Sequence, residues 1–404
     1  MGEAGFLPYG RQSIEEDDIE AVARALRGDF LTTGPLVGQF EEAFAARVGA
    51  SHAVCCTSGT AALHLAALAL GLGPGDVAIV PAITFLATAN AVRYVGAEVV
   101  FADVDPSSGL MTPETLEAAL GETARLGRGV PRAVLPVHLK GVPADMVGLS
   151  AVAARQGLAV IEDGAHALGT RYGGGAFQVG GNRHAAMTAF SLHPVKTMTS
   201  GEGGMVTTED EALARNLRRF RSHGMEADPA RWRQPDLGME GGLPAPWYHE
   251  MGEIGFNYRL PDVNCALGLS QLGKLDRFLA RRAELVVLYD RLLRIRLAPV
   301  VLPPARPADA DPGWHLYAVQ IDFAAAGLSR RALIAGLRQD GIGTQVHYIP
   351  VPWQPYYRQR YGEGSFPGAA AFYRGTLSLP LFPAMTDEDV LRVVDCLAAR
   401  LAAR

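Results

Sequence analysis

His52-Ala53-Val54-Cys55-Cys56, Thr57-Ser58-Gly59-Thr60, the apolar stretch Ala61 to Leu72, Gly73-Pro74-Gly75-Asp76 and Val77-Ala78-Ile79-Val80 follow one another directly in the chain. The first and last pieces are short apolar runs of strand length, and the stretch from Ala61 reads as a buried helix. Gly73 to Asp76 is a turn. The same alternation continues outward through Val99 to Val104, Ala133 to Val137, Leu158 to Ile161 and Thr188 to Ser191. Strands repeatedly separated by helices predict an α/β fold from Ala53 to about Val206, with a mainly parallel central sheet covered by helices on both faces.

Upstream, Ser13 with Glu16 three residues on reads as a capping box, and Ile19, Val22 and Leu26 then recur at helical spacing. Downstream, the pattern changes near Pro261. A long helical segment is predicted from Asp262 to about Leu293, with a basic stretch at Lys274-Leu275-Asp276-Arg277, and the break Pro303-Pro304-Ala305-Arg306-Pro307 follows. Beyond it lies a smaller α+β region: a strand from His315 to Ile321, a helix from Ser329 to Asp340, a strand near Gln345-Val346-His347 and a final helix from Asp387. The expected organisation is a large domain over 1–261, a connecting helical segment over 262–302 and a small C-terminal domain over 303–404.

With 404 residues the chain is long enough for two domains. A net charge of -5 offers no footprint for nucleic acid, and the Arg215-Asn216-Leu217-Arg218-Arg219 cluster reads as a solvated helix face. No apolar run is long enough to span a bilayer and no signal pattern opens the chain, so no membrane partner and a cytoplasmic location are expected. Cys55, Cys56, Cys265 and Cys396 have no zinc or redox spacing, so reduced thiols and no metal are expected.

Three clusters carry chemistry. Thr57-Ser58-Gly59-Thr60 lies between a strand and a helix, where free N–H groups and the helix dipole suit a phosphate; a hydroxyl-capped turn explains the same residues. Asp163, in Glu162-Asp163-Gly164-Ala165-His166, ends an apolar strand at the sheet edge where α/β proteins bind ligands. A partly buried aspartate there needs a cation, such as a protonated pyridine nitrogen, or serves as a helix N-cap or in a surface pair. The third cluster, Phe190-Ser191-Leu192-His193-Pro194-Val195-Lys196 followed by Thr199-Ser200-Gly201-Glu202-Gly203-Gly204, decides between these readings. A lysine after a buried strand, in a loop of small residues, can reach an aldehyde over the sheet edge, and desolvation frees its amine for imine chemistry. Ser191 adds a hydroxyl to the phosphate site, and Gly203-Gly204 lets backbone pass close to the ligand.

These motifs, together with Gly255-Phe256-Asn257-Tyr258-Arg259-Leu260, resemble the DegT-type nucleotide-sugar aminotransferases of the fold-type I pyridoxal-phosphate enzymes, over essentially the whole chain and in the expected order. The resemblance implies pyridoxal 5'-phosphate as cofactor, held by Lys196 as a Schiff base, with Lys196 also shuttling the proton. It implies Asp163 on the pyridine nitrogen, His166 on the phenolic oxygen, and Gly59, Thr60 and Ser191 on the phosphate. Phe85 would stack on the ring, though a core aromatic is the other reading. Asn257 would reach the phosphate from a second subunit, which implies a homodimer with shared sites. The chain departs from the family pattern at Thr57-Ser58, where Ser-Asn is frequent, at Gly164, where Ala is frequent, and at Lys140, where relatives often carry an uncharged residue. Lys140 is a surface charge or a substrate contact.

Within the family, Pro246-Trp247-Tyr248-His249-Glu250-Met251, Ala266 to Leu272 and His347 to Tyr357 look most like the pseudaminic acid branch. That branch moves an amino group from L-glutamate to C4 of a UDP-linked 4-keto-6-deoxy-N-acetylhexosamine. Tyr9, His347 and Tyr348 are then candidate substrate contacts or an aromatic cluster at a domain boundary, and Lys140, His193 and Arg259 are candidates for the pyrophosphate. A different ketosugar, 3-keto or dTDP-linked, and a non-catalytic sugar-binding homologue are the rival readings. A related dehydratase would replace the lysine, typically with histidine, and Lys196 argues against it.

Overall fold

In the computed structural model, which describes residues 5–402, a seven-stranded sheet organises the large region. Its strands are β1 (His52–Cys56), β2 (Asp76–Pro81), β3 (Glu98–Ala102), β4 (Val130–Val134), β5 (Ala159–Asp163), β6 (Met187–Ser191) and β7 (Gly204–Thr208). Their spatial order is β1-β7-β6-β5-β4-β2-β3. Neighbours are parallel except that β7 runs antiparallel to both β1 and β6. The sheet is therefore mainly parallel, as expected.

Alternation along the strands explains why it is buried twice over. Cys55, Ile79 and Val134 point into one core with Phe40, Phe44 and Leu149. Val54, Val80 and Ala133 point into the other with Leu65 and Ala66 of helix Gly59–Ala69. That helix is apolar on nearly every side and is enclosed on nearly every side. A third core gathers the C-terminal region, where β8 (Val301–Leu302), β9 (Tyr317–Ile321) and β10 (Thr376–Leu379) form an antiparallel sheet. Ala82, Ile83 and Leu139 of the large region join that core, so the C-terminal region packs against the loops after β2 and β4.

Four local expectations are corrected. The first helix spans Glu16–Arg27, and its capping box is Glu15 with Asp18 rather than Ser13 with Glu16. Gln271 Nε2 donates to the Ser13 carbonyl and holds that residue in the approach to the helix. Ile19 and Leu26 do not face the core; they are 54% and 58% exposed, while Asp18 and Ala25 are buried. Asp18 accepts from Ser270 at 2.6 Å and Gln271 at 2.8 Å, and pairs with Lys274 at 2.8 Å, and this polar cluster turns the helix's charged face inward. The single helix expected from Asp262 is two, Asp262–Leu272 and Leu275–Arg296, broken at Gly273-Lys274 where glycine weakens the helix and Lys274 turns to Asp18. Near Gln345 there is only an isolated bridge to Ser378, not a strand. Among the described residues no helix is long and apolar enough to cross a membrane.

Candidate active site

Because β1, β2, β4, β5 and β6 point the same way, their carboxyl ends share one edge, and the loops that follow them enclose a cavity of about 820 Å³. Ligand sites in open α/β sheets lie at this edge. The loop after β1 supplies Gly59 and Thr60 at the start of helix Gly59–Ala69, capped by Ser58, whose hydroxyl accepts from the Ala61 N–H at 3.1 Å. The first-turn N–H groups have no intrahelical acceptor. Ser191, from the end of β6, faces the same turn: a Cβ on Gly59 would lie 2.7 Å from the Ser191 Cβ, so only glycine leaves room for this cradle. Gly204 of β7 has a related task. A Cβ there would meet the Ser58 carbonyl at 2.2 Å, so the glycine lets the sheet press against the loop rather than against a ligand. At Gly164, Thr188 and Phe190 fill the space an alanine methyl would need.

Asp163 closes β5 and is buried at the cavity wall. Its Oδ2 accepts from Thr88 Oγ1 at 2.7 Å and its Oδ1 from the Ala165 N–H at 3.1 Å. Burial pushes the carboxyl above its ordinary value, while these hydrogen bonds and the Lys196 charge oppose the rise. Lys196 lies on the same cavity, and burial pulls its ammonium down to about 8, with Asp163 opposing. A lysine so placed is a free amine for a useful fraction of the time near neutrality.

Another part of the lining is aromatic. The Lys140 N–H donates to His166 Nδ1 at 3.3 Å, so the neutral ring carries its proton on Nε2, which meets the Tyr348 hydroxyl at 3.1 Å. Burial keeps His166 well below its ordinary pKa, and it pulls His347 down to about 3. His347 Nδ1 lies 2.8 Å from Ser378 Oγ, and its ring is 5.5 Å from that of Tyr9. Phe85 is no core aromatic: it is 54% exposed, lines the cavity and lies 5.8 Å from the Tyr348 ring. His193 also lines the cavity, 4.0 Å from Glu202. His315 was not foreseen as a site residue. It is buried on the cavity wall, its ring 4.5 Å from His166, and its Nδ1 has no hydrogen-bond partner among the described residues.

Asn257 and Arg259 do not line this chain's cavity. Asn257 is exposed on a segment bridged to Ser222, and Arg259 buries an Nε that has no partner among the described residues. Lys140 is neither a surface charge nor a lining residue. It is fully buried at φ 70°, its ammonium donates to the Ser108 carbonyl and sits 5.0 Å from the Phe372 ring centre, and burial pulls it down to about 7. Its carbonyl accepts from the His315 and Leu316 N–H groups, which ties the loop after β4 to the C-terminal region. In the unfolded chain Lys140 titrates near 10.5. Between about 7 and that value the unfolded state binds the extra proton, so wild-type stability gains with rising pH and the penalty of burying the charge is full below about 7. Lys140→Met should remove this dependence. The stability difference between variant and wild type is expected to move by up to roughly 4 kcal/mol between about pH 6 and pH 10. Denaturant unfolding at several pH values measures it, and a pH-independent difference would refute the buried charge.

Residues 12–398 match the DegT/DnrJ/EryC1/StrS aminotransferase family. The chain is 41% identical over 393 residues to the spore coat polysaccharide biosynthesis protein SpsC of Bacillus subtilis (strain 168), covering 96% of each. Among solved structures, Helicobacter pylori PseC, an aminotransferase involved in the biosynthesis of pseudoaminic acid, superposes with a TM-score of 0.86 at 27% identity, over 99% of this chain and 100% of that one. The PLP-form of the putative sugar aminotransferase Spr1654 from Streptococcus pneumoniae superposes with a TM-score of 0.84 at 26% identity, over 98% of each chain. With the sheet order and the edge cavity described above, the chain belongs to the DegT/DnrJ/EryC1/StrS family of pyridoxal-phosphate-dependent sugar aminotransferases, and it is an enzyme of the fold-type I architecture.

Proposed function

We propose that this enzyme binds pyridoxal 5'-phosphate in the edge cavity and transfers the amino group of L-glutamate to C4 of a UDP-linked 4-keto-6-deoxy-N-acetylhexosamine. The observation that carries the cofactor reading is the meeting of Lys196, Asp163 and the Gly59–Ser191 cradle in one cavity. The donor set fits the group at each end: N–H groups and a hydroxyl for a phosphate, a carboxylate for a protonated ring nitrogen, and an amine for the aldehyde. The buried His315 Nδ1, without a partner among the described residues, adds a polar atom on the cavity wall.

When bound, the cofactor supplies an electron sink for the electrons left on the substrate carbon when its proton is removed. The chain's own residues do the rest. Lys196 would hold the cofactor through its ε-amine, and afterwards take and return the proton, a task suited to an ammonium lowered to about 8. Asp163 would keep the ring nitrogen protonated. His166, with its tautomer set by the Lys140 N–H, would present Nε2–H to the phenolic oxygen. Phe85 would cover one ring face, and Gly59, Thr60 and Ser191 would bind the phosphate. Tyr9, His193, His347 and Tyr348 would meet the substrates, with the neutral His347 imidazole acting as a hydrogen-bond partner rather than a cation. Asn257 of the partner subunit would complete the phosphate site in a homodimer, since this chain's own Asn257 lies off its own cavity. Arg259, on the same segment, would reach the sugar's pyrophosphate only by that route.

The ketosugar is chosen on the stretches Pro246 to Met251 and His347 to Tyr357, and on the fold shared with PseC. The 41% identity to SpsC favours polysaccharide precursors as a second reading. A panel of ketosugars with glutamate, followed by mass spectrometry, separates them. The expected products are the 4-amino sugar and 2-oxoglutarate. Turnover only with dTDP-linked ketosugars, or amination at C3, removes this substrate and leaves the aminotransferase.

A further inference from the structure

Behind Asp163 stands a buried chain of two hydroxyls. Thr88 lies in the first turn of helix Leu86–Tyr94, which begins after Phe85. Its Oγ1 is 2.7 Å from Asp163 Oδ2, 2.7 Å from Thr84 Oγ1 and 3.3 Å from the Phe85 carbonyl. Thr84 and Thr88 are 1% and 0% exposed, with Thr84 on the cavity lining and Thr88 behind it. A hydroxyl has a single proton to give. Of the three acceptors the carboxylate is the strongest, because charge-assisted bonds are short and roughly twice as strong as neutral ones. Thr88 therefore donates to Asp163, and Thr84 donates to Thr88. The backbone bond to Phe85, the ordinary use of a threonine in a helix, is the long one.

We propose that Thr88, backed by Thr84, is the positioning residue of Asp163, holding the buried carboxylate ionised and oriented so that it can keep a cofactor's ring nitrogen protonated. This rests on the reading of Asp163 as counter-ion to pyridoxal phosphate. The Ala165 N–H holds the other carboxylate oxygen, so the plane of the group is fixed at both ends. Burial favours the neutral acid, and the Thr88 hydroxyl leads the groups that oppose it, ahead of the Ala165 N–H, Lys196 and His138. Phe85 and Thr88 stand three residues apart at one helix start, so one short segment carries both the ring-covering side chain and the support of the counter-ion.

The test uses full-length Thr88→Val, Thr88→Ser and Thr84→Val, titrated with pyridoxal phosphate, with thermal melts to check folding. Thr88→Val keeps the shape and removes the donor. Its cofactor dissociation constant should rise about tenfold or more, as expected when a charged acceptor loses a buried donor. The pH midpoint of the cofactor's visible absorbance should also move up, by about half a pH unit or more, because a ring nitrogen without its proton no longer repels the proton at the Lys196 nitrogen. Serine should restore both, and Thr84→Val should shift both in the same direction by less. Wild-type affinity and midpoint in folded Thr88→Val overturn the proposal. Equal impairment in valine and serine also overturns it, because the serine hydroxyl would then not suffice and any change of shape at this position would be the cause. Should Thr88→Val fail to fold, Thr84→Val decides, and silence there counts against the relay. Asp163→Asn run alongside separates the two ideas: if it is silent in both readouts, the reading of Asp163 itself fails.

Discussion

A chain carrying Lys196→Ala should bind pyridoxal phosphate without covalent attachment and transaminate at least roughly 10⁴-fold more slowly than the wild type. The size follows from the residue's two tasks. One side chain is asked both to activate the aldehyde and to move the proton, and the substitution removes both at once. Among the described residues no other lysine lines the cavity, so none of them stands ready to take over. Borohydride treatment of the loaded wild type should fix a pyridoxyl group on the peptide that contains Lys196, and label on another lysine would remove the assignment. The same variant tests the shared site. Asn257→Ala alone should be weak, since its partner's phosphate site lacks a ligand. Mixing Asn257→Ala chains with Lys196→Ala chains should recover activity, because each heterodimer then contains one intact site. Heterodimers that form and stay inactive would show that each site is built from one chain.

How much of this was legible depended on the distance over which each signal acts. The strands were legible because both faces of the sheet are buried, so β1 and β2 are apolar almost end to end. Asp163 and Ser191 were legible because a polar residue that ends such a run falls at the sheet edge, and Lys196 because it follows Ser191 in a loop of small residues. Thr88 was not, because a threonine in a helix looks like any other and its partner stands 75 residues away. His315 was read only as the start of a strand, since nothing nearby in sequence shows that the His166 ring will lie against it. Lys140 was misread for a related reason. Its residue type suggests solvent, but the backbone around it is clamped to His166, His315 and Leu316, and the side chain is carried inward. The first helix misled in the opposite sense: its apolar spacing is real, yet Asp18 is drawn to Lys274 and Gln271, and Ile19 and Leu26 are left facing outward.

Asp163→Asn is expected to leave the fold and the covalent attachment at Lys196 in place and to cut turnover by roughly 10²–10⁴-fold. Asparagine has nearly the same shape, and its amide oxygen can still accept from Thr88 or from the Ala165 N–H, so the pocket need not collapse. What it lacks is charge. A neutral amide cannot stabilise a pyridinium proton at this buried wall, and an unprotonated ring withdraws electrons poorly, so the loss should fall on kcat more than on the glutamate KM. A second effect separates this cause from general damage. In the cofactor-free enzyme the Asp163 carboxylate opposes the fall that burial imposes on Lys196. Removing that charge should let the lysine drop further, so its reaction with an amine-directed reagent should reach half-maximum at lower pH in the variant. Lysine holds its proton below its pKa, which makes the sign of this shift definite. A turnover near wild type would show that another group protonates the ring. Slow turnover with an unmoved lysine midpoint would show that the two side chains do not share the field that the cavity implies.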